Sequence, residues 1–271
     1  MELYDQVARE INELITRRYS TSFGLSSTLF PRPMRTDIYA VYGLVRIADE
    51  IVDTYRGSDA AELLDELEHD CFRAIESGYS ANPVVHAFAL TATAFTIDHS
   101  VIRAFFASMR MDLGIYVNSR EQYERYVYGS AEAVGLMCLS VFVGGDKAHY
   151  DELADGARAL GAAYQKINFL RDLASDQQDL ERWYFPDSTY ETFGDDDKRA
   201  VTDDIEHDVD RARAALNDLP RSSRRAVSLS LAYYDRLLDK LKAADIATLK
   251  RERLRVPDYV KLALYVRARL T

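Results

Sequence analysis

The chain is poor in several residues and patterns that would mark common functional classes. Its two cysteines, Cys71 and Cys138, stand alone, with no CxxC pair and no histidine at ligand spacing, which argues against a disulfide framework and against zinc. The five histidines are scattered and form no HExxH pair. Twelve glycines are spread thinly, so the phosphate-cradling loop, the GxSxG elbow and the dinucleotide fingerprint are all missing. No long hydrophobic run occurs. The stretch 78–97 lacks Asp, Glu, Lys and Arg, but Asn82-Pro83, His86 and the threonines interrupt it, and a span needs about 20 mainly apolar residues. Basic excess is missing too: a formal net charge of −10 argues against a nucleic-acid partner, which needs a basic stripe. The start, Met1-Glu2-Leu3-Tyr4-Asp5, has neither the basic residues nor the apolar run of an export signal, so a cytoplasmic protein is expected.

What remains is ordinary globular composition, 48 % hydrophobic and 29 % charged, with 18 tyrosines. No Pro-, Gly- or Ser-rich linker divides the chain, so one unit over residues 1–271 is expected. The six prolines fall between or at the start of periodic segments. Apolar residues at three and four spacing predict helices near 3–18, 34–54, 61–76, 84–96, 99–116, 120–143, 149–175, 196–217, 222–243 and 256–269, and nothing alternates as a strand does. The expected class is all-α.

Two of these segments carry polar stripes. Gln165, Asn168, Asp172 and Asp176, spaced by three, four and four, share one face of a helix that is otherwise apolar on almost every side. Tyr42, Arg46, Asp49 and Asp53 repeat the arrangement in a second apolar helix. Like charges four apart repel. On a buried face that repulsion is tolerable only with positive charge against it, and a hard divalent cation that also bridges to substrate phosphates suits two such carboxylate pairs. Arg46 and Arg171 beside the stripes offer guanidinium forks to phosphate oxygens.

Two further stretches need a reading. Gly129, Ala131, Ala133 and Gly135 put small residues inside a helical pattern, where each Gly costs about 1 kcal/mol against Ala; they permit either tight helix packing or room for an elongated ligand. The acids at 195–197 and 203–208 resemble the aspartate motifs of head-to-tail prenyl synthases, but charges on every side from 195 to 213 read as a solvated helix.

At the two DxxxD motifs, Asp49-Glu-Ile-Val-Asp53 and Asp172-Leu-Ala-Ser-Asp176, the chain resembles the squalene and phytoene synthase family, which joins two prenyl diphosphates head to head. The pieces Ser20-Thr21-Ser22-Phe23, Tyr126 to Met137 and Arg182-Trp-Tyr-Phe-Pro186 match as well, and Glu132 stands where the family carries glycine. The resemblance implies an isoprenoid-synthase-type helical bundle with a central cavity. It implies Mg2+ or Mn2+ held by Asp49, Asp53, Asp172 and Asp176 with Asn168, and diphosphate contacts from Ser20, Ser22, Arg46, Arg171 and Arg253. Tyr42, Gln165 and Tyr234 would line the site, the last closing it with Arg253. An allylic cation formed there needs shelter from water and aromatic faces, which a bundle rich in Tyr and Phe supplies.

The implied reaction is condensation of two geranylgeranyl diphosphates to phytoene through a cyclopropylcarbinyl (prephytoene) diphosphate, with no NADPH. The alternatives are squalene or dehydrosqualene formation from farnesyl diphosphate and, behind these, a non-catalytic helical assembly factor. Lipid substrate and product imply transient contact with a membrane surface, at its inner face.

Overall fold

The computed structural model describes residues 2–114, 119–180 and 182–270, excepting the side chains of Gln178 and Asp179. Among them no strand occurs. The helices are α1 (Glu2–Tyr19), α2 (Thr21–Ser27), α3 (Arg32–Asp49), α4 (Ala60–Ser77), α5 (Pro83–Ala94), α6 (His99–Met111), α7 (Arg120–Val127), α8 (Ala133–Phe142), α9 (Lys147–Arg171), α10 (Leu173–Leu180), α11 (Asp195–Leu216), α12 (Arg221–Ala243), α13 (Ile246–Leu249) and α14 (Asp258–Leu270). Two π-helical turns, Glu50–Thr54 and Tyr128–Glu132, extend α3 and join α7 to α8.

Local chemistry explains the boundaries. Ser20, Asn82, Asp98, Ser119, Asp146 and Asp245 each cap a helix by accepting backbone N–H groups that would otherwise lack partners. Pro83 begins α5, where its missing N–H does no harm, and Gly78 ends α4 at φ 75°, a left-handed turn that disfavours side chains. The Ser20 cap starts the short helix α2, which periodicity alone does not reveal because it is only 7 residues long.

Three buried clusters hold the bundle together. Leu44, Phe88, Phe105 and Met137 pack α3, α5, α6 and α8; Ile167, Phe169, Leu170, Ile205 and Leu241 pack α9, α11 and α12; Phe30, Leu139, Leu153, Leu219 and Val227 lie between. Each fully buried Leu or Phe contributes about 1.5–3 kcal/mol, so these clusters supply the main driving force. The 25-residue helix α9 runs through the middle, against α8 on one side and α11 on the other.

The small residues serve both readings: Gly129 packs against a neighbouring helix, and Ala131 and Gly135 line a cavity. A Cβ on Gly129 would meet the Ala104 carbonyl at 2.3 Å, and one on Gly161 would meet the Ala131 carbonyl at 2.5 Å, so the π-turn presses its backbone against α6 and α9. Glu132 turns to Arg158 of α9, at 2.7 Å.

The acidic helix α11 departs from the expectation of a solvated surface helix. It buries Thr202, Ile205, Asp208, Val209 and Ala212. Asp204 and Asp208 hold the Lys166 ammonium of α9 at 2.6 and 2.7 Å, so these acids are ion-paired structural groups.

Candidate active site

A cavity of about 740 Å³ opens between α2, α3, α8, α9 and α12, within the range that holds extended organic ligands. Its walls change character along their length. On α9 the lining passes from Leu153, Gly156, Ala157 and Leu160 through Tyr164 and Gln165 to Asn168 and Arg171; on α3 it passes from Ile38 and Val41 to Tyr42 and Arg46. At 1.5 Å per residue the α9 gradient extends over about 27 Å. The apolar end is closed by Phe30, Leu139, Phe142, Leu219 and Val227, and the polar end by Ser20, Ser22, Tyr234 and Arg253. All nine non-aspartate candidates from the sequence line this one cavity. Such a shape takes a long hydrocarbon with an anionic head.

The first aspartate motif sits at the end of α3 and in the π-turn beyond it. Asp49 is the last α-helical residue and Asp53 lies within Glu50–Thr54. Arg46 reaches Asp49 at 3.7 Å, pairs with Glu50 and lies over the Tyr19 ring, while its Nε has no partner. Burial, then Asp53, pushes the Asp49 carboxyl up to about 8, against the pull of Arg46. Tyr42 stacks on Phe23 at 5.1 Å and hydrogen-bonds Ser20; burial raises its phenol to about 12.

The second motif straddles a break. Asp172 caps α9 at φ −99°, and Asp176 lies one turn into α10, its N–H donating to the Asp172 carbonyl. Asp172 takes both guanidinium forks: Arg171 Nε donates to Oδ1 at 2.9 Å, and Arg253 Nε approaches the same oxygen at 2.7 Å. Asp176 is pushed up to about 7 by burial first and Asp172 second, with Arg182 opposing and Asp53 adding to the rise. Asp53 and Asp176 thus interact across the gap between the motifs. Tyr234 stacks on Tyr164 at 3.7 Å, and burial raises its phenol although Arg171 and a hydrogen bond to Asn168 oppose this.

Two residues outside the expected set join these motifs. Arg182 donates to Asp53 at 2.6 Å and to the Val52 and Asp112 carbonyls at 2.9 and 3.1 Å. Asp112, 5 % exposed, accepts from the Tyr126 hydroxyl at 2.9 Å and lies 3.5 Å from Arg182; burial pushes its carboxyl up to about 7. Arg182 was visible within the Arg-Trp-Tyr-Phe-Pro motif, whereas Asp112 is a single acid past the end of an apolar helix and carried no signal.

The donor set suits a hard cation, although among the described residues no three His, Cys, Asp or Glu side chains converge on their own into a metal site. Asn168 Oδ1 is buried with no partner, an oxygen acceptor available to such an ion. Carboxyls held at about 7 and 8 mark a place where positive charge is wanting.

An all-α bundle with an apolar cavity ending at two facing aspartate motifs defines a prenyl-transferring class of helical synthase. Comparison with known proteins narrows the class. The profile described as Squalene/phytoene synthase matches residues 16–259, and the chain belongs to that family, whose prenyl transferases use divalent metal ions. It is 32 % identical to the 15-cis-phytoene synthase of Synechocystis, over 94 % of this chain and 82 % of that protein. It is 30 % identical to phytoene synthase 3 of Zea mays over 94 % of this chain; it spans 64 % of that protein's length. A solved dehydrosqualene synthase shares the fold at TM-score 0.81 with 20 % identity, over 98 % of this chain and 96 % of that one. A squalene synthase from Alicyclobacillus acidocaldarius does so at TM-score 0.78 with 21 % identity, over 89 % and 95 %.

Proposed function

We propose that the chain is a magnesium-dependent phytoene synthase. As one catalytic unit it would condense two geranylgeranyl diphosphates head to head, through a cyclopropylcarbinyl diphosphate, and release both diphosphates without a nicotinamide reductant. The single observation that carries this reading is the cavity gradient, from an apolar end along α9 to Arg46, Arg171 and Arg253 at its other end, where these arginines pair with Asp49 and Asp172 just outside the lining.

The residues divide the work. Asp49, Asp53, Asn168, Asp172 and Asp176 would hold magnesium or manganese, which neutralises charge on a leaving diphosphate. Ser20, Ser22, Arg46 and Gln165 offer donors to the diphosphate along the polar wall, Arg46 through an Nε that has no other partner. Arg171 and Arg253 both lie on Asp172, and burial first and the nearness of Arg171 second lower the pKa of Arg253, so a diphosphate between them would relieve two like charges and free the Asp172 carboxylate. Tyr42 and Tyr234 keep their protons, because burial raises both phenols, and therefore act as donors and aromatic faces rather than bases. The proton lost in each half reaction then goes to a released diphosphate oxygen.

A second reading keeps the site and changes the substrate: squalene or dehydrosqualene formation from farnesyl diphosphate, favoured by the solved structures of the same fold. The protein would work in the cytoplasm, touching the inner face of the membrane to exchange lipids. Incubation of the purified protein and magnesium with each diphosphate, with and without NADPH, followed by chromatography of the hydrocarbon, tests the assignment. A product formed only from farnesyl diphosphate would overturn phytoene synthesis, and no diphosphate release from either substrate would overturn the enzymatic reading.

A further inference from the structure

Helix α14 carries an apolar stripe that no other described residue covers. Tyr259, Leu262, Val266 and Leu270 are 75 %, 58 %, 48 % and 83 % exposed, and with Ala263 they fall on one face about 100° wide. Arg267 and Arg269 flank this stripe on its two sides. The opposite face looks inward: Lys261 lines the cavity, its carbonyl accepts from the Tyr233 hydroxyl at 3.2 Å, and the Tyr265 hydroxyl accepts from Thr28, the residue that ends α2, at 3.1 Å. One helix thickness therefore separates the stripe from the cavity.

Charge is distributed unevenly as well. Residues 250–270 contain Lys250, Arg251, Arg253, Arg255, Lys261, Arg267 and Arg269 against Glu252 and Asp258, seven basic minus two acidic, or +5. The chain as a whole is −10, so the remainder holds −15. A segment of opposite sign to the rest, with exposed apolar residues between arginines, matches the pattern of helices that lie in a lipid interface with long basic side chains reaching the headgroups.

We propose that the outer face of α14 docks on an anionic lipid surface and sets the polar end of the cavity beside it. The choice of occupant follows from charge. A second copy docked through the same face would bring Arg267 and Arg269 of each chain together, whereas anionic headgroups complement them. Leu3, Val7 and Leu14, exposed apolar residues of α1, share their side of the helix with Arg17 and Arg18, but Glu10 and Glu13 offset these, Glu13 by pairing with Arg17, so no excess of positive charge remains there. The functional sense of the site rests on the proposed lipid synthesis, but the docking itself does not require substrate.

The test uses the full chain with vesicles of phosphatidylcholine alone and of phosphatidylcholine with about 30 % phosphatidylglycerol, without prenyl substrate. Sedimentation with the anionic vesicles is expected, weakening as salt rises. The double variant Leu262→Ser/Val266→Ser and the double variant Arg267→Glu/Arg269→Glu should each bind about tenfold more weakly or worse, with helical circular dichroism and detergent-phase diphosphate release retained. Failure of the native chain to bind, equal binding to both vesicle types, or equal binding by the variants overturns the proposal. So does concentration-dependent self-association in sedimentation velocity that the Leu262→Ser/Val266→Ser variant abolishes, which would assign the face to a second copy. Loss of prenyl transfer with vesicle binding intact would instead count against the catalytic reading alone.

Discussion

Replacing Arg182 with glutamine should destabilise the protein in a way that depends on pH. The native guanidinium is 14 % exposed and serves Asp53 at 2.6 Å, Asp112 at 3.5 Å and two backbone carbonyls. Asp53, at 38 % exposure, rehydrates when the cation is gone and adds little. Asp112 cannot, because it is 5 % exposed and, among the described residues, keeps the hydroxyls of Tyr126 and Tyr184 as partners. Removing one partner of a buried pair costs about 3–5 kcal/mol, so a loss near the lower bound, on the order of 10 °C in Tm, is expected at pH 8. The pH dependence follows from the sign of the shift. Asp112 already binds its proton more tightly when folded, up to about 7 against 3.8, so its contribution to stability is largest at low pH and falls as pH rises through 7. Without Arg182 the folded carboxyl rises further, and the gap between native and variant should widen from about pH 5 to about pH 8. Thermal unfolding followed by circular dichroism at both values, with Asp112→Asn alone and combined with Arg182→Gln, measures it. A loss independent of pH, or strictly additive in the double variant, would refute the assignment of Asp112 as the group that Arg182 neutralises.

Other perturbations reach other parts of the site. Asp49→Asn and Asp172→Asn should each lower turnover by on the order of 10²–10³ while the helical spectrum is unchanged, and normal turnover with magnesium present would contradict the metal assignment. Asn168→Leu removes the unpartnered Oδ1 together with the hydrogen bond to Tyr234, so folding stability should fall by about 1–3 kcal/mol while the divalent ion concentration for half-maximal activity rises roughly 10–100-fold; an unchanged metal titration would exclude Asn168 as a ligand. In metal-free protein, Asp49 and Asp176 prefer their protons when folded, at about 8 and 7 against 3.8, so Tm should fall between about pH 5 and pH 8. Added magnesium should raise Tm more at the upper value than at the lower, and an equal gain at both would be inconsistent with those carboxyls as ligands. Ala226→Phe at the apolar end should cut turnover of the longer diphosphate more than that of the shorter one, as read by competition between the two substrates; equal loss would remove that end as the site of chain-length selection.

Much of this was legible from residue spacing. Three and four periodicity located nearly all the long helices, because most bury an apolar face in a cluster of Leu, Ile, Val and Phe, α14 with its exposed stripe being an exception. The cavity-lining polar residues were legible for the same reason: Tyr42 and Arg46, like Gln165 and Asn168, recur at helical spacing on faces that are otherwise apolar. What spacing could not show is contact between distant segments. Arg182 and Asp112 are 70 positions apart and belong to no common periodic pattern, and only folding brings them against Asp53. The acids of α11 misled for the complementary reason, since Lys166, the cation that pairs with half-exposed Asp204 and buried Asp208, lies on a different helix.

The aspartate motifs also expose a limit in the helical reading itself. A 3.6-residue period puts both acids of each DxxxD on one continuous face, yet neither motif lies in continuous α-helix: Asp53 falls in a π-turn and Asp172 in the break between α9 and α10. Two carboxylates one regular turn apart would repel along the axis with only helix neighbours to answer them. Loosening the backbone at these points admits partners from elsewhere, Arg182 to Asp53 and Arg253 to Asp172, each reaching its aspartate from more than 80 positions away. π-turns are rare and concentrate at functional sites. The irregular backbone therefore accompanies the same feature that makes the motifs chemically useful, acidic groups whose charge is balanced from across the fold and can be rebalanced by an incoming cation and diphosphate. The sequence showed the acids, and the place where the helix gives way shows how the protein keeps them together.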